Sequence, residues 1–371
     1  MMVLKTKFPD GRNDVLMTNT RDAYFAAANT AAGFVSSFSE LFDAASGEWN
    51  KIYILKGGPG TGKSGFLRKT ADAAEKRGYK TERFYCSSDT RSLDGVRIPE
   101  LGVALLDGTA PHMVDPKYPG AVEEILNLGM FFDAGVLREH TTEIRALSGE
   151  NASHHARAAR YLRAAGEMRQ VRRGLLDGAF LPEKAARAAQ RIVRLCPTEK
   201  TETVRAETRF ATANSTQGYV HLPSAENSAA HLISVGDKNG IAAGFLSALV
   251  TAAKERGVSY VRYADPLLPS ETEGIYLPGC DTVYLADRFG AVREDAEHLN
   301  ATRFYDSARL GENREKLRFA AKCETALLDG AYEALASAGN VHDALETYYI
   351  SAMDFRALDA YTARFLKSVF G

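Results

Sequence analysis

Between residues 57 and 64 the chain reads Gly57-Gly58-Pro59-Gly60-Thr61-Gly62-Lys63-Ser64, which satisfies GxxxxGK[ST] at every fixed position. These residue types suit the capture of a phosphate chain. Glycines let backbone N–H groups converge on phosphate oxygens through torsions that a Cβ would forbid. Lys63 brings a point charge for β- and γ-phosphates, the Ser64 hydroxyl can ligate Mg²⁺, and Gly65 lies in a helix start whose positive end faces the same anion. Downstream, VALLD ends at Asp107, where an acid at the carboxyl end of a strand can hold the Mg²⁺ shell through water.

Other candidates surround this core. CSSDTRSLDGVRIPE (86–100) reads as a polar loop on the same edge and carries Asp89, Asp94 and Glu100. One of these acids could orient water or accept a proton, Asp89 first and Asp94 second, while an Asx-turn or helix cap competes for the same residues. His112 lies in GTAPHMVDPKYPG (108–120), where a lone histidine is more often structural than functional. Arg157, Arg160 and Arg163 fall at i, i+3 and i+6 on one helical face. A solvated basic face is favoured there over a phosphate clamp or a nucleic-acid surface.

The elements that must position these residues occur twice. FAAANTAAGFV (25–35) returns as FATANSTQGYV (210–220), Gly65-Phe66-Leu67 as Gly244-Phe245-Leu246, and FFDAGVL (131–137) as FYDSARL (304–310). Three blocks in one order indicate a duplication. Each copy predicts a short apolar strand (Ile52–Leu55; Leu232–Val235), a glycine-rich turn, and an alanine-rich helix capped at Gly78 or Gly257. Two more strands follow, Thr81–Tyr85 then Val103–Leu106 in one copy and Tyr260–Tyr263 then Thr282–Leu285 in the other. The expected fold is α/β: tandem duplicated P-loop NTPase-like lobes, each a mostly parallel sheet flanked by helices with a helical tail. The expected boundaries are a first lobe at 1–195, a linker at 196–204 and a second lobe at 205–371.

The second copy lacks the chemistry of the first. In register, Gly62 becomes Ile241, Lys63 becomes Ala242, Ser64 becomes Ala243 and Asp89 becomes Leu268, while Asp237 adds negative charge where phosphate would approach. Asp287 lies one place beyond the Asp107 equivalent. The second lobe is therefore expected to be catalytically degenerate. It could still lend an arginine to the first site, the candidates being Arg262, Arg288 and Arg293.

Composition is that of an ordinary globular protein, 45% hydrophobic and 25% charged over 371 residues. Lys plus Arg (46) balances Asp plus Glu (47), so net charge signals neither nucleic acid nor membrane. The halves differ: residues 1–200 carry 29 basic and 24 acidic side chains, residues 201–371 carry 17 and 23, which favours docking of one on the other as an internal pseudo-dimer. Cys86, Cys196, Cys280 and Cys323 show no CxxC spacing, which argues against a disulfide framework or zinc site. The N-terminal segment has no signal-peptide core, and the longest apolar run, 241–253, is too short to span a bilayer, so a cytoplasmic protein without membrane attachment is expected.

With these residues in view, the sequence resembles a family of tandem P-loop ATPases found mainly in Gram-positive anaerobes. YFAAANTAAGF, LKGGPGTGKS, FYCSSDTRSLDGVRIPEL and LLDGTAPHMVDPKYPGAVEEI carry the resemblance. It implies ATP binding, with Mg²⁺ and hydrolysis, and supplies no further substrate or partner. Three functions stay open: an Mg-dependent ATPase or switch, which leads; a small-molecule or nucleotide kinase; and a non-enzymatic nucleotide-sensing module. No NKxD guanine signature occurs, which disfavours GTP.

Overall fold

Apolar runs bounded by glycine turns set the strands, and the sheets form where those runs bury on both faces. The computed structural model describes residues 22–198, 204–287 and 295–371. The first copy contains β1 (Ala23–Phe25), β2 (Ala27–Thr30), β3 (Gly33–Ser36), α1 (Phe38–Leu41), β4 (Lys51–Lys56) and α2 (Lys63–Glu75). It continues with β5 (Glu82–Tyr85), β6 (Leu93–Ile98), β7 (Val103–Asp107) and β8 (Glu123–Asn127), then the tail helices α3 (Ala134–Glu139), α4 (Thr141–Asp177) and α5 (Pro182–Val193). The second copy repeats the series: β9 (Ala206–Arg209), β10 (Thr212–Ser215), β11 (Gly218–His221), α6 (Ser224–Asn227), β12 (His231–Val235) and α7 (Ala242–Arg256). It closes with β13 (Tyr260–Ala264), β14 (Thr272–Leu277), β15 (Thr282–Ala286), β16 (Glu297–Leu299), α8 (Ser307–Glu312), α9 (Arg314–Ser351) and α10 (Phe355–Phe370).

The architecture is α/β, with two six-stranded mixed sheets of identical topology. The first has the order β1-β5-β6-β7-β4-β8 and the second β9-β13-β14-β15-β12-β16. In each, the third strand runs antiparallel to both neighbours and the other pairings are parallel. That antiparallel strand corrects the reading of 86–100 as a loop. Leu93–Ile98 forms β6 despite Asp94, Gly95 and Arg97, because tertiary partners compensate the buried charges: His112 faces Asp94, Glu82 lies 3.2 Å from Arg97, and the Trp49 ring stacks 4.9 Å from the Arg97 guanidinium. Because β6 runs backwards, it delivers Glu100 to the opposite edge of the sheet from Asp107, where Glu100 accepts the Lys80 N–H at 3.2 Å. Glu100 is removed from the candidate site.

The helical tails cross over. α5 packs its buried Ala185, Ala189 and Val193 against Phe245, Leu246 and Leu249 of α7, in the second copy. Reciprocally, α10 covers α2 of the first copy, with the Phe365 ring 4.8 Å from Phe66 and 4.8 Å from Tyr53. The long helices α4 and α9 run antiparallel beside each other: Asn313, before α9, donates to the Leu175 carbonyl near the end of α4, and His140, before α4, stacks on Tyr348 near the end of α9. The repeat divides the sequence near 196–204, but the packing units cut across that division.

Reciprocal contacts give the two copies a pseudo-twofold relation. Phe25 and Phe210 exchange backbone hydrogen bonds at 2.9 and 3.2 Å. The Asn29 amide donates to the Asn214 carbonyl and the Asn214 amide to the Asn29 carbonyl, each at 2.9 Å. Asp133 N–H bonds the Ala352 carbonyl at 2.8 Å, and its repeat equivalent Asp306 bonds the Ala179 carbonyl at 2.8 Å. A patch that contacts its own duplicate in this way is the intramolecular form of an isologous dimer.

Buried ion pairs fix the crossing. Arg169 of α4 reaches Glu324 of α9 at 2.7 Å and Asp265 at 2.8 Å, all three residues being buried. Arg169→Ala leaves these carboxylates without their central cation and is expected to destabilise the fold by about 3–5 kcal/mol. Urea unfolding monitored by circular dichroism checks this, and an unchanged midpoint would contradict it. The cysteines form no framework among the described residues, but one pair is linked: Cys196 and Cys280, with Cα atoms 5.0 Å apart and a sequence separation of 84. Spacing alone does not reveal such a link. Among the described residues, no helix is long and apolar enough to cross a membrane.

Candidate functional site

β4 carries buried Ile52, Ile54 and Leu55 into the first sheet and releases the chain at Gly57, while α2 takes it up again at Lys63. The glycine loop between them turns sharply at Gly60 (φ +65°) and Gly62 (φ +79°), torsions that side chains resist. A Cβ on Gly57 would lie 2.7 Å from Thr61 Oγ1, so the loop closes only with hydrogen there. Thr61 is buried and its hydroxyl donates to the Gly58 carbonyl at 2.9 Å, which locks the turn.

Three of the expected site residues converge at this loop. Lys63 Nζ curls back to donate to the carbonyls of Gly58 (2.7 Å) and Gly57 (3.2 Å). β7 lies directly beside β4 in parallel, Leu55 opposite Asp107, and this places Asp107 Oδ2 3.7 Å from Lys63 Nζ. The other Asp107 oxygen accepts from Thr109 N–H (2.9 Å) and Thr109 Oγ1 (2.6 Å), which fixes the carboxylate's orientation. Ser64 Oγ accepts the Leu93 N–H at 2.9 Å and so ties α2 to the start of β6. Lys63 and Asp107 are largely shielded, with side-chain exposures of 12% and 14%, so their attraction is only partly screened.

The remaining candidates separate. Asp94 is buried on β6 and its Oδ2 lies 3.0 Å from His112 Nε2. Burial pushes the Asp94 carboxyl up from its ordinary range, the neighbouring Asp107 charge adds to this, and His112 opposes it. His112 is itself buried between Phe34 and Phe38, with ring centroids 4.9 and 4.5 Å away. It is a packed partner for Asp94. Asp89 does not face the loop's lysine: it accepts from Arg91 Nε at 2.8 Å and from Ser92 Oγ at 3.1 Å, an Asx-type turn closed by an ion pair. Arg157, Arg160 and Arg163 are exposed on α4. Arg262 is half-buried and spends its donors on Thr272 Oγ1 (3.0 Å) and the Pro269 and Glu271 carbonyls (2.5 and 2.7 Å), within its own copy. Arg288 and Arg293 lie outside the described residues.

The second copy's corresponding loop satisfies itself. Asp237 Oδ1 accepts the Ala242 N–H at 2.8 Å, at the start of α7, and Asp287 accepts the Asp237 N–H at 2.6 Å. Ala242 and Ala243, which replace the lysine and serine, are buried against the core. A carboxylate of the chain thus stands where an anion would meet that helix.

Sequence reasoning missed what the second copy lays over the first loop. Glu346 of α9 accepts the Gly60 N–H at 3.0 Å. A Cβ on Gly58 would lie 3.0 Å from the Tyr349 ring, one on Gly60 2.9 Å from Ile350, and one on Gly62 2.9 Å from Leu358 of α10. No motif marks these positions, and only the repeat arithmetic offers a signal: Glu346 is the duplicate of Arg173. No family model, curated protein or solved structure matches this chain.

Proposed function

We propose that the chain binds Mg·ATP at the 57–65 loop of its first copy and hydrolyses it slowly, as a P-loop ATPase whose second copy is catalytically degenerate. The observation that carries this reading is the convergence of Lys63, Ser64 and Asp107 on a loop that only glycines can close. The donor set suits a phosphate chain with a hard cation: backbone N–H groups and an ammonium for the anion, a hydroxyl and a carboxylate for the metal. Gly60, Gly62 and Lys63 would hold the phosphates, and Ser64 with Asp107 would hold magnesium. Magnesium, when bound, neutralises charge on the phosphate oxygens. Lys63, parked on its own loop's carbonyls, turns to the phosphates and leaves Asp107 free for the metal. Asp94 is a better proton acceptor candidate than Asp89, because it lies beside Asp107 while Asp89 is committed to Arg91.

The same Asp94–His112 pair favours a second reading, a small-molecule or nucleotide kinase in which Asp94 takes the proton of an acceptor hydroxyl. A kinase places phosphate on an added acceptor, whereas an ATPase releases inorganic phosphate alone. Asp107→Asn is expected to weaken the magnesium dependence of turnover by roughly 10–100-fold, as for residues that orient a metal's shell. Phosphate release measured across a magnesium titration checks this, and a superimposable curve would reduce Asp107 to a capping residue.

A further inference from the structure

We propose that Glu346 is a built-in competitor for phosphate: its carboxylate occupies the anion-binding N–H of Gly60, so that nucleotide enters the first copy only by displacing a side chain of the second. The proposal rests on the nucleotide-binding reading above and adds the regulation of that site.

The geometry has three parts. Glu346 Oε1 lies 3.0 Å from the Gly60 nitrogen, in a loop with left-handed turns at Gly60 and Gly62, torsions of the kind that build anion-binding concavities. The contact spans 286 residues and joins the two copies, so neither loop nor helix forms it alone. Tyr349 and Ile350, on the following turn of α9, press on Gly58 and Gly60 closely enough that a single added methyl would collide. The carboxylate is therefore held at the loop by its own helix, whereas a surface glutamate would wander.

The second copy shows the same device in completed form. There Asp237 caps its own loop at Ala242 N–H, and Ala242 stands at the position that Lys63 holds in the first copy. In the first copy the acid arrives from outside, on a half-buried side chain, and Lys63 lies in the same loop to attract an anion. A triphosphate and a carboxylate cannot share one N–H, and their like charges repel at contact distance. Displaced, Glu346 swings toward solvent and α9 loses its polar anchor on the loop.

The test is calorimetric titration of Mg·ATP into the full chain, into Glu346→Ala and into Glu346→Gln, with Lys63→Ala/Glu346→Ala as control. Removing the carboxylate should tighten binding by tenfold or more, with glutamine between alanine and wild type, and the lysine control should abolish the gain. In the absence of nucleotide, amide exchange of a peptide covering 57–62 should be faster in Glu346→Ala than in wild type. Equal, measurable affinity in the wild type and both Glu346 variants, or weaker binding by the Glu346 variants, overturns the competitor and leaves nucleotide binding standing. Absence of binding in every protein overturns both.

Discussion

A chain ending near Lys200 is expected not to fold. The cut leaves the first sheet, α2 and the glycine loop intact in sequence but removes α10 and the turn that leads into it from α9, whose Met353, Leu358 and Phe365 share a core with Phe66, Leu67 and Leu128. Burying each large apolar side chain is worth roughly 1.5–3 kcal/mol, and a domain has only about 5–15 kcal/mol to lose. α5, still present, would carry its Ala185, Ala189 and Val193 face with no α7 to cover. The truncated chain should run as an aggregate on size exclusion and lack a cooperative thermal transition. Adding residues 205–371 as a separate polypeptide should restore both, because each half supplies the other's missing helix. A monomeric fragment that melts cooperatively on its own would show that the crossed tails are dispensable.

Lys63→Ala should cost roughly 100-fold in ATP affinity, the scale of one lost charge-assisted contact with phosphate, and should reduce phosphate release further. In the resting protein Lys63 bonds its own loop's carbonyls and faces Asp107, so its removal leaves the fold close to wild type while taking away the ammonium. Thermal melting should confirm a folded variant. Retained turnover in that variant would remove Lys63 from the site.

What was legible in the sequence was local. The loop from Gly57 to Ser64 requires fixed residues at fixed spacing, and Asp107 follows a short apolar run that reads as a strand between turn signals. The duplication was legible because both copies kept the same turn glycines and aromatic anchors. β6 was missed because Asp94 and Arg97 break its apolar pattern, and their partners, His112 and Glu82, lie elsewhere in the chain. The crossed tails were out of reach for a deeper reason. α5 and α10 each carry an apolar stripe, and a stripe states that a sheet must be covered without stating which; two homologous sheets satisfy it equally. Glu346 carries no motif, and its place as the duplicate of Arg173 does not mark it, since a single glutamate on a long helix resembles every other solvated acid until Gly60 is placed beside it.

The most direct test of nucleotide binding at the first loop is a calorimetric titration of the full-length chain with ATP in the presence of magnesium. The expected result is saturable binding at a stoichiometry of one nucleotide per chain, lost in Lys63→Ala and weakened when magnesium is withheld. No binding at any ATP concentration that the experiment can reach, or binding that Lys63→Ala leaves unchanged, would contradict it.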